Sequence, residues 1–130
     1  MTAEEILAYC LQKPYATIDH PFGPDSTIVK VKPPNYSSRI FAQLFDLKGQ
    51  PHATFCCDAV TGDFYRQMYP GIVVRGYHCP PVQQPYFNTL PLNGKIPDEE
   101  IIGMIDHSFK AVVSRYPKYV QRAFLKEDNK

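Results

Sequence analysis

Apolar positions recur at helical spacing near both ends of the chain. The first such run predicts a helix over residues 2–12, in which Thr2 and Glu5 have the spacing of a capping box and after which Pro14 ends the helix. The second run predicts a long helix over residues 97–115, with acidic residues in its first turn, where they suit the helix dipole. Its apolar stripe consists of Ile101, Ile102, Ile105, Phe109, Val112 and Val113.

The same helical spacing of apolar residues predicts two shorter helices. Residues 61–69 predict a short helix that Pro70-Gly71 ends, because proline cannot continue a helix and glycine suits the turn after it. Residues 118–126 predict a last helix near the C-terminus. The inward positions are expected to be Phe64, Tyr65 and Met68 in the first helix and Val120, Ala123 and Phe124 in the second.

Strand signals fill the region between the terminal helices. Lys30 and Lys32 fall on one face of the first strand, because successive strand side chains point to opposite faces. Lys48-Gly49 joins the next two strands into a hairpin, since glycine supplies the positive φ of a tight turn. The predicted strands cover residues 27–32, 40–47, 52–57, 72–74 and 86–92.

This order of elements predicts an α+β fold. Helices at both ends of the chain, with antiparallel strands between them, indicate a two-layer sandwich in which the N-terminal and C-terminal helices pack on the sheet. The length suits a single domain over residues 1–130, with a core over about residues 2–116 and a C-terminal helix and tail over 117–130.

Composition narrows the classes of function. Fourteen basic residues against thirteen acidic ones leave a net charge of +1, so any nucleic-acid or membrane contact has to come from a local patch. No run approaches the roughly 18 apolar residues of a membrane span, and the first residues do not form a secretory signal. We therefore expect a cytoplasmic protein whose four cysteines are thiols.

No catalytic or metal-binding motif is present in the sequence. A glycine-rich phosphate loop, a paired-carboxylate signature and a nucleophile elbow are all missing. His78 and Cys79 are adjacent, but neighbours in sequence rarely present both side chains to one point, and no third orienting group can be named. The cysteines and histidines lack metal-ligand spacing. We expect a non-catalytic protein with no metal and no cofactor.

An ordered set of short segments resembles the MmcQ/YjbR family of small bacterial proteins, over nearly the whole chain. The resemblance implies a frataxin-like (CyaY-like) fold with a double-wing arrangement, and family members are commonly labelled DNA-binding. The segments are Lys13-Pro14, Arg39-Ile40-Phe41-Ala42, Cys57-Asp58, Tyr69-Pro70, Gly76-Tyr77-His78, Pro97-Asp98-Glu99-Glu100 and His107-Ser108-Phe109.

The chain departs from that pattern at two places. Cys56 stands where the family has a basic residue before Cys-Asp, and Gln84-Pro85-Tyr86-Phe87 stands where it has a Lys-x-His-Trp segment. Both changes remove basic groups that could have met phosphate, which weakens the case for DNA binding in this member but not the case for the fold.

The leading function hypothesis is a nucleic-acid-binding accessory or regulatory protein. Phosphate contacts need a local basic face, because counterion release supplies most of the non-specific affinity. The alternative for these side chains is a set of scattered, solvated charges. The basic candidates are Lys30, Lys32, Arg39, Lys48, Arg66 and Arg75.

The second hypothesis is a module that binds a small ligand or a protein partner through the loop of residues 76–89. Its candidate contacts are Tyr77, His78, Tyr86 and Asn88, which gather an imidazole, two phenols and an amide near one proline-rich segment. The structural alternative is a loop pinned by prolines, with its polar groups bonded to backbone. A contiguous basic face would favour nucleic-acid binding. A pocket lined by the loop candidates would favour binding of a small ligand or a protein partner. The sequence does not indicate an oligomeric state.

Overall fold

Eleven elements make up the fold in the computed structural model, which describes residues 1–21, 23–76 and 79–128. In chain order they are α1 (Ala3–Cys10), β1 (Ala16–Asp19), β2 (Ser26–Val31), β3 (Arg39–Leu47), β4 (Gln50–Cys56), α2 (Ala59–Met68), β5 (Val74–Arg75), a 3-10 turn (Gln84–Tyr86), β6 (Phe87–Pro91), α3 (Asp98–Val113) and α4 (Lys118–Asp128).

The strands form one antiparallel sheet in the order β1-β2-β3-β4-β6-β5. The predicted hairpin is confirmed: β3 and β4 pair from Leu47 and Gln50 at the turn, where Lys48 and Gly49 both have positive φ. The sequence missed β1, whose four residues show no clear alternation. Of the expected strand at 72–74 only Val74 is in a strand, while Val73 is buried in the preceding turn.

The core lies between one face of the sheet and the helices, which confirms the predicted α+β sandwich with its terminal helices against the sheet. Alternation along each strand selects the side chains that point to the helices. From the sheet these are chiefly Val29, Val31, Ala42, Leu44, Ala53, Phe55 and Leu90, and from the helices Ile6, Cys10, Ile101, Met104, Ile105, Val112, Val120 and Phe124.

A buried serine joins the two central strands where their pairing stops. A bulge in β3 places Phe41 between the residues that pair with β2, and the β3–β4 ladder ends at Ala42 and Phe55. Ser108 of α3 donates its hydroxyl proton to the Phe41 carbonyl at 2.5 Å and accepts the Cys56 N–H at 2.9 Å. One side chain therefore satisfies two buried backbone groups that the ladder leaves without partners.

A polar cluster ties α1 to α3. The Lys13 ammonium and the Tyr9 hydroxyl both donate to one oxygen of Asp106, each at 2.6 Å. Burial alone would raise the pKa of Asp106, but these two hydrogen bonds and the positive charge of Lys13 outweigh it, so the pKa is lowered. Lys13 also lies over the rings of Tyr9 and Phe109, which adds cation–π attraction.

The inward face of α2 differs from the prediction. Gly62 is buried against the end of β4, where a Cβ would lie 2.5 Å from the Cys57 Sγ, while Phe64 and Met68 are 54% and 44% exposed. The helix is oriented by Asn88, whose amide donates to the Gly62 carbonyl at 3.2 Å. A close backbone approach, which apolar spacing does not reveal, therefore overrides the apolar stripe, and only Tyr65 of the three expected residues is partly buried.

We expect Ser108→Ala to lower the free energy of unfolding by about 2–4 kcal/mol, because it leaves the Phe41 carbonyl and the Cys56 N–H buried without partners. Urea unfolding measures the change. Ser114→Ala is the matched control on the same helix: its hydroxyl bonds only the Ala111 carbonyl at an exposed site, so the change should stay within about 0.5 kcal/mol. Equal losses in the two variants would contradict the bridging role.

The stabilising effect of Asp106 should depend on pH. A carboxyl whose folded pKa is lowered contributes stability above its unfolded pKa of about 3.9 and loses it as the pH falls through the folded pKa. Wild type should therefore exceed Asp106→Asn in unfolding free energy near pH 6, and the difference should shrink below about pH 4. Urea unfolding at each pH measures this difference in unfolding free energy. A difference that stays constant from pH 6 to below pH 4 would show that the carboxylate charge does not cause the stabilisation.

Candidate ligand-binding groove

A groove of about 950 Å³ crosses the sheet face that the helices leave uncovered. Register places Ile28 beside Gln43 and Gln43 beside Thr54, and alternation turns all three away from the helices. The groove is also lined by Ser26, Phe45, Cys56 and Phe87 of the sheet, by Cys79, Pro80 and Gln83 of the loop before β6, and by Val112 and Arg115 at the end of α3.

The floor of the groove is mostly apolar and contains a few internally paired polar groups. The Gln43 amide donates to the Ser26 hydroxyl at 3.2 Å, and the hydroxyls of Thr54 and Thr89 share a hydrogen bond of 2.8 Å. In the first pair, the amide oxygen of Gln43 and the hydroxyl proton of Ser26 are not used by that bond, so they remain able to meet polar atoms of a ligand.

Two arginines stand at one end of the groove. The Arg39 guanidinium lies 4.9 Å from the centre of the Tyr116 ring, and the Tyr116 hydroxyl donates to the Ser37 carbonyl at 2.7 Å, which holds the ring in place. Arg115 lies near the Cys56 thiol; burial raises the pKa of that thiol, and the arginine offsets the rise only in part. Arg39 pairs with Val31, a core residue, so its side chain lies on the helix side of the sheet, at the border of the groove.

Two carboxylates stand at the opposite end. Asp25 directly precedes β2, and Asp46 follows Phe45 in β3, where alternation turns its side chain to the face opposite to that of Gln43 and Phe45. Along β3, Asp46 is seven residues from Arg39, or roughly 20 Å at strand rise. Within the described part of the chain, neither carboxylate forms an ion pair, and neither does Arg39 or Arg115.

The basic residues named from the sequence do not form one surface. Lys30 forms an ion pair with Asp19 at 2.8 Å, which lowers the pKa of that carboxyl. Lys32 donates to the carbonyls of Pro33 and Tyr36.

The other four basic residues also lie apart. Arg66 donates to the Asn88 amide oxygen at 2.6 Å on the helix side of the sheet. Lys48 is at the β3–β4 turn, Arg39 begins the same strand at its far end, and Arg75 is on the edge strand β5. Of the six, only Arg39 lines the groove.

Of the four residues predicted as ligand contacts in the 76–89 loop, the structure describes two. Tyr77 and His78 lie outside the described residues. Tyr86 is exposed, and its carbonyl accepts the Cys57 N–H at 2.9 Å. Asn88 is buried and uses its amide to hold Gly62 and Arg66, so it has a structural role. The loop contributes to the groove through Cys79, Pro80 and Gln83.

Sequence reasoning missed most of the charged and polar residues that line the groove, among them Asp25, Gln43, Asp46 and Arg115. Gln43 carries a weak signal, because it interrupts the apolar run from Ile40 to Phe45. The sequence gives no signal for Arg115, because this residue reaches the groove only through the packing of the end of α3 against the end of β4. Strands of the sheet, the loop before β6 and the end of α3 all line this site, and no local sequence pattern predicts that they come together.

No metal site or membrane helix is found among the described residues. No group of three or more His, Cys, Asp or Glu side chains in residues 1–21, 23–76 and 79–128 is arranged to hold a metal ion. None of the helices in these same ranges has the length and apolar content needed to cross a membrane.

Comparison with known proteins identifies relatives over nearly the whole chain. The uncharacterised protein YjbR of Escherichia coli (strain K12) is 23% identical over 118 residues, which cover 91% of this chain and 92% of the relative. A crystal structure of a Deinococcus radiodurans protein with a DUF419 domain superposes with a TM-score of 0.83 at 21% identity, covering 95% of this chain and 87% of the other.

A crystal structure of a Pseudomonas syringae protein has a TM-score of 0.70 at 20% identity and covers 85% of this chain and 98% of its own. These likenesses show a shared fold and carry no activity to this chain; the likeness to frataxin stays a prediction. The YjbR family model matches residues 11–111, and the chain therefore belongs to the YjbR family.

Proposed function

We propose that this protein is a non-catalytic binding module that holds an elongated, largely apolar ligand in the sheet groove. The observation that carries this proposal is the groove itself: about 950 Å³, with an apolar floor and a small number of placed polar groups. Ligand sites in proteins usually have about 300–1,000 Å³ and this composition. The sequence-based hypothesis of a module using the 76–89 loop is thereby refined, with the loop as one wall of the site.

The reactive groups in the groove support binding rather than catalysis. Its two thiols, Cys56 and Cys79, both have a pKa raised by burial, so little nucleophilic thiolate forms near neutral pH. Among the described residues, no histidine lines the groove as a general base. A thiol without a base or a lowered pKa is a poor nucleophile.

The charge arrangement favours a discrete ligand over nucleic acid. Two carboxylates, Asp25 and Asp46, border the groove, and their negative charges disfavour a continuous phosphate backbone beside it. The six basic residues named from the sequence are spread over several elements, and Lys30 already has a carboxylate partner. Several phosphate contacts at once are needed for useful affinity, and this arrangement does not favour them.

We also infer a reducing compartment, such as the cytoplasm. All four cysteines are thiols rather than disulfides, three of them buried, which is usual for proteins that are not exported to an oxidising environment.

The groove can be tested with the fluorescent probe 8-anilinonaphthalene-1-sulfonate, which has an aromatic body and one negative charge. We expect saturable binding, and we expect Ile40→Trp to weaken it at least about tenfold, or about 1.4 kcal/mol, because the larger side chain fills the groove. Ile18→Trp is the matched control, since Ile18 is a strand residue of similar exposure, 37% against 47%, outside the groove. It should change the affinity less than about twofold.

Two results would overturn the proposal. One is probe binding that Ile40→Trp leaves unchanged. The other is binding of labelled single- or double-stranded DNA, followed by fluorescence anisotropy, that falls steeply with salt and is insensitive to Ile40→Trp. Near-ultraviolet circular dichroism of each variant checks that packing is retained, because the probe also binds loosened structures.

A further inference from the structure

We propose that the floor of the groove recognises a neutral cyclic amide, carried on a flat ring that forms the head of an otherwise apolar ligand. The observation that carries this inference is a patch of four side chains on β2 and β3, called here the β2–β3 patch: Ser26, Ile28, Gln43 and Phe45. The inference rests on the proposed function, because it names the chemical group that the ligand of the groove presents to the sheet.

Strand register makes the four residues of the β2–β3 patch neighbours. Ser26 pairs with Phe45 and Ile28 pairs with Gln43, and the two residues on each strand are two positions apart, so they share a face. Paired Cα atoms lie roughly 5 Å apart, and residues two apart along a strand roughly 7 Å. The patch therefore has about the dimensions of a small bicyclic ring, with apolar side chains at two opposite corners and polar ones at the other two.

The polar corners present a hydrogen-bond acceptor beside a donor. The Gln43 amide N–H donates to the Ser26 hydroxyl oxygen at 3.2 Å, which links the two side chains across the patch. That bond leaves the Gln43 carbonyl oxygen as an acceptor and the Ser26 O–H as a donor. No described residue forms a further hydrogen bond with either group, so both can meet a ligand.

The floor around the patch favours a neutral ligand group. It continues on β4 with Thr54 and Cys56, and burial raises the pKa of the Cys56 thiol, so this side chain is uncharged near neutral pH. None of the described side chains in the patch or at these two positions is charged. A charged group placed over them would be buried without a partner, which costs far more than burying a neutral group that forms hydrogen bonds.

Geometry selects a cyclic amide among the neutral groups. In a small ring the amide is cis, so its N–H and C=O point to the same side and can meet the Gln43 oxygen and the Ser26 hydroxyl together. In an ordinary peptide group, which is trans, the two point in opposite directions, and only one of them can meet the patch. A ketone or an ether accepts from Ser26 but leaves the Gln43 oxygen without a donor.

The apolar corners favour a flat ring as the carrier of the amide. The Phe45 ring stacks on His52, with ring centres 5.8 Å apart and an interplanar angle of 25°, so its orientation is fixed. A ring bonded through its edge to the polar corners lies against Phe45 and Ile28, and offset contacts between flat rings are favourable. The apolar remainder of the ligand then extends along the groove towards Phe87.

Displacement of 8-anilinonaphthalene-1-sulfonate from the full chain by four bicyclic compounds tests this inference. 2-Quinolinone carries the cyclic amide on a flat apolar body, and 4-methyl-2-quinolinone keeps the amide and adds a methyl group elsewhere. 1-Methyl-2-quinolinone lacks the amide N–H, and naphthalene lacks the whole amide. We expect the first two to displace the probe at concentrations at least about tenfold lower than the last two, because a site built to bond an N–H rejects an analogue without it.

Substitutions in the patch should change this preference in distinct ways. Gln43→Met keeps the length of the side chain but removes the acceptor, so the advantage of 2-quinolinone over its 1-methyl analogue should fall below about twofold. Ser26→Ala removes the donor to the ligand carbonyl, so all the quinolinones should weaken by at least about threefold while naphthalene does not. Gln83→Met is the matched control: Gln83 is an exposed glutamine on the loop wall of the same groove, and its substitution should leave the preference intact.

The outcomes separate this inference from the proposed function. Probe binding that Ile40→Trp weakens, together with equal displacement by 2-quinolinone and its 1-methyl analogue, overturns the cyclic-amide assignment and leaves the groove as a ligand site. A preference that survives Gln43→Met also overturns it, as does uridine, which has the same amide edge on a polar sugar, if it displaces the probe better than 2-quinolinone. Failure of both the probe and 2-quinolinone to bind at the groove overturns the proposed function and this inference together.

Discussion

The fold depends on how the two central strands are held where their ladder ends. The β3–β4 ladder ends beside the bulge at Phe41, and the buried backbone groups that follow it would be costly without hydrogen-bond partners. Ser108 supplies both partners from α3, so the helix is fixed against the sheet at the same place. Because Val112 and Arg115 follow on that helix, this bridge also sets the end wall of the groove.

Several residues by which the chain resembles its family have structural roles. Lys13 binds Asp106 and ties α1 to α3, Asp58 caps α2 by accepting the Thr61 N–H, and Ser108 bridges the central strands. Family membership therefore accounts for the fold through identifiable interactions. It does not by itself identify a ligand, because the charges that distinguish the groove come from other residues, such as Asp25 and Arg115.

The groove combines a rigid frame with a mostly apolar floor. Its floor belongs to paired strands, one wall is a proline-rich loop, and Arg39 is held by an aromatic ring. Such a site loses little conformational entropy when a ligand binds, so modest contacts can give specific recognition.

Local signals in the sequence, the apolar periodicity and the Lys48-Gly49 turn, were enough to predict the helices, the β3–β4 hairpin and the α+β class. It could not determine the inward face of α2, which a close approach at Gly62 decides, or the role of Ser108, whose partners are 67 and 52 residues away in sequence. The groove also belongs to the tertiary structure alone, since strand register and the end of α3 bring its charges together from distant parts of the chain.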